Sequence, residues 1–60
     1  MERVYALNDR DGSVVYRLPG HRFEDGREDS DLSPIWLPGD PKDLPEGVDI
    51  DDLRKVTVDK

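Results

Sequence analysis

Residues 2–18 read Glu-Arg-Val-Tyr-Ala-Leu-Asn-Asp-Arg-Asp-Gly-Ser-Val-Val-Tyr-Arg-Leu, and no other part of the chain says as much about its architecture. Two runs rich in β-branched and aromatic residues, 2–7 and 13–18, flank Asn8-Asp9-Arg10-Asp11-Gly12. Such runs suit a pleated, half-buried strand. Asp-Gly is a favoured pair for a type I′ hairpin turn, whose two central residues need positive φ. A tip at Asp11-Gly12 sets Arg10 opposite Ser13, Asp9 opposite Val14, Leu7 opposite Tyr16 and Tyr5 opposite Leu18. One face then carries Tyr5, Leu7, Val14, Tyr16 and Leu18, and the other carries Val4, Ala6, Val15 and Arg17. The first is the expected core face, joined by Ile50, Leu53 and Val56 or Val58. The second is expected to be more exposed, or to meet a second layer. A wider loop over 8–12 would shift the register.

Beyond the hairpin the signals weaken. Pro19-Gly20 is a second turn, and His21-Arg22-Phe23 reads as a short third strand. Residues 24–31, Glu-Asp-Gly-Arg-Glu-Asp-Ser-Asp, contain no apolar side chain and read as a solvated acidic loop. Residues 33–47 form a Pro-rich arm. Pro34, Pro38, Pro41 and Pro45 disfavour helix, so the arm reads as extended or polyproline-like, with an edge strand at 35–37. Asp49 is placed to cap a short helix at 49–54, with Asp51 and Asp52 in its first turn and Arg54 and Lys55 towards its end. Val56-Thr57-Val58 lies in a closing strand at 55–59.

The expectation is a single small domain over residues 1–60. Its class is small β-rich α+β: an antiparallel sheet built on the N-terminal β-hairpin, with one short helix before the closing strand. That order of elements resembles an SH3-like small barrel.

Composition narrows the function classes. The 60 residues hold 15 acidic and 9 basic side chains and no cysteine, and a third are hydrophobic. A chain this short has a marginal core, and disulfides are excluded as a staple. Zinc is disfavoured because His21 is the only His or Cys ligand. There is no apolar run of membrane-spanning length. Met1-Glu2-Arg3-Val4-Tyr5 lacks the basic and apolar regions of a signal peptide, so a cytoplasmic location is expected. Residues 1–27 balance five arginines against five acids, whereas 28–60 hold ten acids against Lys42, Arg54, Lys55 and Lys60. The net charge of −6 therefore sits in the second half. That half repels phosphates, which argues against direct nucleic-acid binding and permits a basic protein partner.

No motif points to catalysis or to a cofactor. Asp9-Arg10-Asp11-Gly12-Ser13 resembles the Asp-x-Asp-Gly-Thr/Ser motif of haloacid-dehalogenase-like phosphotransferases over five residues. That family needs a large parallel α/β domain, and a hairpin turn uses the same residues for its geometry. The loop also fails as a calcium site: placing Gly12 at the sixth position of an EF-hand puts Leu7 first, where a carboxylate is required. His21 has no neighbouring nucleophile motif, and Ser13, Ser30 and Ser33 sit in turn contexts.

The expected function is thus a non-enzymatic acidic protein–protein interaction module. It would act as a regulator or inhibitor, in the manner of antitoxin-like, immunity-like or phage-encoded modulators. The expected binding residues are Ile35, Trp36 and Leu37 on the arm, with Asp43, Glu46, Asp51 and Asp52 in the acidic half. Trp36 reads in two ways, as a lid over Tyr5, Tyr16 and Leu18 or as an exposed anchor. The expected partner is a protein with a basic surface, or a second copy of the chain. Two alternatives are a structural subunit of a larger assembly, such as a virion component, and a DNA mimic that blocks a nucleic-acid-binding protein.

Overall fold

β1 (Val4–Asn8) and β2 (Val14–Arg17) pair as an antiparallel hairpin, in a computed structural model that describes residues 2–58. Val4 lies opposite Arg17, Tyr5 opposite Tyr16, Ala6 opposite Val15 and Leu7 opposite Val14. This register differs by two residues from the one a tip at Asp11-Gly12 predicts. Side chains alternate with a period of two, so the shift moves partners but leaves both faces intact.

The turn is a four-residue loop, 9–12. The Asn8 N–H donates to the Ser13 carbonyl at 2.8 Å, and the Gly12 N–H donates to the Asn8 carbonyl at 2.8 Å. Gly12 has φ 73°, whereas no non-glycine residue described has positive φ. Asp11 therefore does not enter the left-handed region that a type I′ turn demands. Side-chain bonds favour the wider loop. Asn8 Oδ1 accepts from the Arg10 N–H at 3.0 Å, and Asp11 Oδ1 accepts from the Ser13 N–H and Oγ at 2.9 and 2.7 Å. These local bonds hold the loop while sparing Asp11 the steric cost of a left-handed backbone.

β3 (Leu37–Pro38) adds antiparallel to β2, with Tyr16 opposite Leu37 and Val15 opposite Pro38. It is an edge, so the N–H that Pro38 lacks costs no inner ladder bond. Gly39 continues the contact, its N–H donating to the Val14 carbonyl at 2.9 Å. A Cβ there would stand 3.2 Å from Val14 Cγ1 and 3.3 Å from Tyr16 Cδ1, so any larger residue would push those side chains back by a few tenths of an ångström. β4 (Lys55–Val56) lies parallel to β1, with Leu7 opposite Lys55 and Asn8 opposite Val56. The Leu7 and Asp9 N–H groups donate to the Arg54 and Val56 carbonyls, both at 2.9 Å.

The strand order is β3-β2-β1-β4. The sheet is therefore mixed rather than antiparallel, and it is open with β3 and β4 as edges, which corrects the expectation of an SH3-like barrel. The chain leaves β2, forms β3 on the far side and returns across the sheet, so it meets β1 running in the same direction. The expected closing strand at 55–59 is two residues long, and position 59 lies outside the described residues.

The expected helix at 49–54 is a single 3₁₀ turn, Ile50–Asp52. Asp49 does cap it, its carboxylate accepting from the Asp51 N–H at 3.3 Å. The backbone then extends at Leu53, with φ −80° and ψ 138°. Extension presents the Arg54 carbonyl to Leu7, and this sheet bond outweighs a helix too short to be stable alone. A second 3₁₀ turn, Pro41–Asp43, breaks the supposedly extended arm. Asp40 caps it through the Lys42 N–H at 2.9 Å, and Pro41 stands at the start, where its missing N–H costs nothing.

The buried apolar residues are Ala6, Val14 and Val15. Ala6 and Val15 belong to the face expected to be more exposed or to meet a second layer, and their burial fits the second of these. Tyr5, Leu7, Tyr16, Leu18, Ile50, Leu53, Val56 and Val58 are only half-buried. β1 and β2 are the two inner strands, so the chain covers both of their faces and the small residues at mid-sheet become the most enclosed.

Candidate interaction surfaces

The 18–36 connection folds over the Arg17 side of the sheet. Arg22 and Glu28 form an antiparallel bridge, and the Phe23 N–H donates to the Arg27 carbonyl at 2.7 Å. Asp25 turns the tip by accepting from the Arg27 N–H at 3.1 Å and the Arg27 Nε at 2.7 Å. Those bonds, the backbone one foremost, hold the Asp25 carboxyl below its usual range. The segment read as a solvated acidic loop thus contains a folded hairpin, and one of its acids is fully enclosed.

That acid is Asp29, at 0% exposure. Its Oδ2 accepts from Arg17 Nε at 3.1 Å and its Oδ1 accepts from the Ile35 N–H at 3.2 Å. The Asp29 N–H donates to the His21 carbonyl at 2.9 Å, and its carbonyl accepts from the Gly20 N–H at 2.8 Å. A buried carboxylate survives only when paired and hydrogen-bonded, and Asp29 is both. Arg17 also reaches Asp31 at 3.3 Å and lies 5.9 Å from the Trp36 ring centre. One arginine on β2 therefore gathers Asp29, Asp31 and Trp36. The sole hint in the sequence is Arg17 itself, a charge within an apolar strand.

Trp36 is half-buried on this Arg17 side. It does not cover Tyr5 and Tyr16, whose rings pack 6.1 Å apart with Arg3 4.7 Å above Tyr16. Ile35 and Leu37 are half-buried as well. All three line a groove of about 540 Å³, to which Val58 and Leu32 also contribute. Leu32 is 99% exposed, and nothing in the sequence pattern singles it out.

The acidic residues at 40–52 sit elsewhere. The Tyr5 hydroxyl donates to the Asp43 carbonyl at 3.1 Å, which ties the Pro41–Asp43 turn to the Tyr5 side of the sheet. Pro41 and Leu44 share a shallow depression of about 520 Å³ with Val48 and Ile50, so the two turns adjoin. Asp40 and Asp49 are occupied as caps. Asp43, Glu46, Asp51 and Asp52 are exposed, and among the described residues their carboxylates make no ion pair or hydrogen bond. The opposite holds at 17–31, where Arg17, Arg22 and Arg27 pair with Asp29, Asp31, Glu28 and Asp25.

The seven residues expected to form one surface are thus divided. Ile35, Trp36 and Leu37 line the groove, while the Asp43 turn is held to the Tyr5 side and the Asp51-Asp52 turn adjoins it. Among the described residues, no helix is long and apolar enough to cross a membrane, and no three His or carboxylate side chains converge as metal ligands. Comparison of the chain with protein-family models, with curated proteins and with solved structures finds no match.

Proposed function

We propose that the chain is a non-enzymatic interaction module whose 40–52 segment docks on a basic protein surface. The observation that carries this reading is the set of four exposed carboxylates, Asp43, Glu46, Asp51 and Asp52, each within two residues in sequence of one that lines the depression shared by Leu44, Gly47, Val48 and Ile50. An apolar centre with a charged rim is the usual anatomy of a protein interface. The rim steers the partner in, and the centre slows its departure. The Asp40 and Asp49 caps hold both turns before binding, which lowers the ordering cost of association. Affinity capture with the parent chain and with the double variant Asp43→Lys, Glu46→Lys tests the reading. The parent is expected to retain a basic protein that the variant loses, and equal retention refutes the proposal.

The same exposed carboxylates, carried on turns that Asp40 and Asp49 cap, are the basis of a second reading, in which they stand in for phosphates and block a nucleic-acid-binding protein. Duplex DNA should then compete for the captured partner, whereas a partner that keeps its affinity in excess DNA carries an ordinary basic protein surface.

A further inference from the structure

Residues 18–36 are hydrogen-bonded to themselves and fastened to the sheet by one side chain. The Gly20 N–H donates to the Asp29 carbonyl at 2.8 Å, the Asp29 N–H to the His21 carbonyl at 2.9 Å, and the Phe23 N–H to the Arg27 carbonyl at 2.7 Å. The Asp29 carboxylate accepts from the Ile35 N–H at 3.2 Å, which brings the end of the segment back to its beginning. Among the described residues, every hydrogen bond from 18–36 to the rest of the chain is made by the Arg17 side chain, to Asp29 and to Asp31.

Apolar packing adds little to this attachment. Leu18, Phe23, Ile35 and Trp36 are half-buried, and Leu32 is 99% exposed. Asp29, at 0% exposure, is the only buried residue of the segment. The sheet beneath is held differently, by two paired inner strands that enclose Ala6, Val14 and Val15. Segments with few buried apolar contacts open at lower free energy than core strands, and they open in cooperative units. The Arg17–Asp29 pair makes such an opening abrupt. It is strong while enclosed and falls to the strength of a surface pair once water reaches it. A short hairpin released from its support is marginal in water, so the internal bonds of 18–36 are lost with the attachment.

We propose that 18–36 is a strap that opens and closes on the sheet as one unit, with the Arg17–Asp29 pair as its latch. Opening bares Arg17, Asp29 and the Trp36 ring while β1 and β2 stay paired. The Asp43 turn is tied to the Tyr5 side, so the strap goes beyond the acidic-surface reading and does not rest on it.

Native-state hydrogen exchange on the parent chain, followed by NMR at low urea concentrations, tests the strap. The Gly20, Phe23, Asp29 and Ile35 amides are expected to share one opening constant, about 10-fold or more above that of Leu7 and Asn8 on β1. Their dependence on urea should be shallower than that of β1, because strap opening exposes only part of the chain. Strap and β1 amides with one constant and one urea slope overturn the proposal, and so do strap amides with unrelated constants. Arg17→Lys keeps the charge but loses the Nε donor to Asp29, and it should raise the strap's opening constant about 10-fold. Asp31→Asn, at a fully exposed carboxylate, should raise it less. An unchanged constant in Arg17→Lys, or equal rises in the two variants, overturns the buried pair as the latch.

Discussion

Replacing Asp29 with asparagine removes a charge from the most enclosed polar site while keeping its shape. The new side chain can still accept from the Ile35 N–H through its oxygen, but its amide N–H₂ then faces Arg17 Nε, donor against donor. Arg17, whose side chain is 9% exposed, keeps only Asp31, whose side chain is 100% exposed. Breaking a buried pair by removing one partner costs about 3–5 kcal/mol, whereas an exposed pair contributes about 1 kcal/mol or less. A chain of 60 residues has roughly 3–9 kcal/mol of total stability, so Asp29→Asn should leave it barely folded. Urea denaturation followed by Trp36 fluorescence reads the loss directly, because Trp36 lies 5.9 Å from the Arg17 guanidinium. The control, Asp31→Asn, should change stability by no more than about 1 kcal/mol. A joint Arg17→Met, Asp29→Leu replacement should recover most of the loss, since no buried charge then lacks a partner. Equal midpoints for Asp29→Asn and Asp31→Asn would show that enclosure of the Arg17–Asp29 pair carries no special weight.

Other perturbations test the remaining structure. Gly12→Val should destabilise by about 1–2 kcal/mol through backbone strain alone, because φ is 73° and an added Cβ meets nothing within 4 Å; an unchanged urea midpoint would move the turn elsewhere. Gly39→Ala places its methyl 3.2 Å from Val14 Cγ1 and should cost about 1 kcal/mol by overpacking, with loss of β3 protection in hydrogen exchange. Asp11 and Asp25 titrate below the ordinary 3.8, Asp11 chiefly through the Ser13 hydroxyl and Asp25 chiefly through the Arg27 N–H. Folded values below unfolded ones add stability that is present above about pH 4 and lost as the pH falls through the folded value. Asp11→Asn should therefore flatten the acid side of a plot of urea midpoint against pH, and parallel curves for parent and variant would contradict this.

The hairpin was readable because its signal survives error. Alternation puts Tyr5, Leu7, Val14 and Tyr16 on one face whether the register is right or two residues off. The register itself was not readable, since it depends on the side-chain bonds of Asn8 and Asp11 against the cost of a left-handed Asp. Asp49 was readable as a cap, but not the length of what it caps, because the sheet bond from Leu7 to Arg54 is made across the fold. Asp40-Pro41 carried the same kind of cap signal, hidden behind the reading of prolines as breakers. Asp29 looked like its exposed neighbours, and only its pairing with Arg17 sets it apart. The acidic excess was plain in the charge count. The division between the Trp36 groove and the Asp43 turn follows from where β3 carries the chain across the sheet.

If the exposed carboxylates Asp43, Glu46, Asp51 and Asp52 bring a basic partner in, their effect must appear in the association rate. That rate is to be measured for the captured partner at several salt concentrations, with the parent and with Asp43→Lys, Glu46→Lys. Screening shortens to roughly 8 Å at 0.15 M salt, so the parent's rate should fall steeply through that range. The variant should associate more slowly and with a shallower salt dependence, while its dissociation rate stays close to the parent's. Identical salt slopes for the two proteins would contradict the proposed role of these carboxylates.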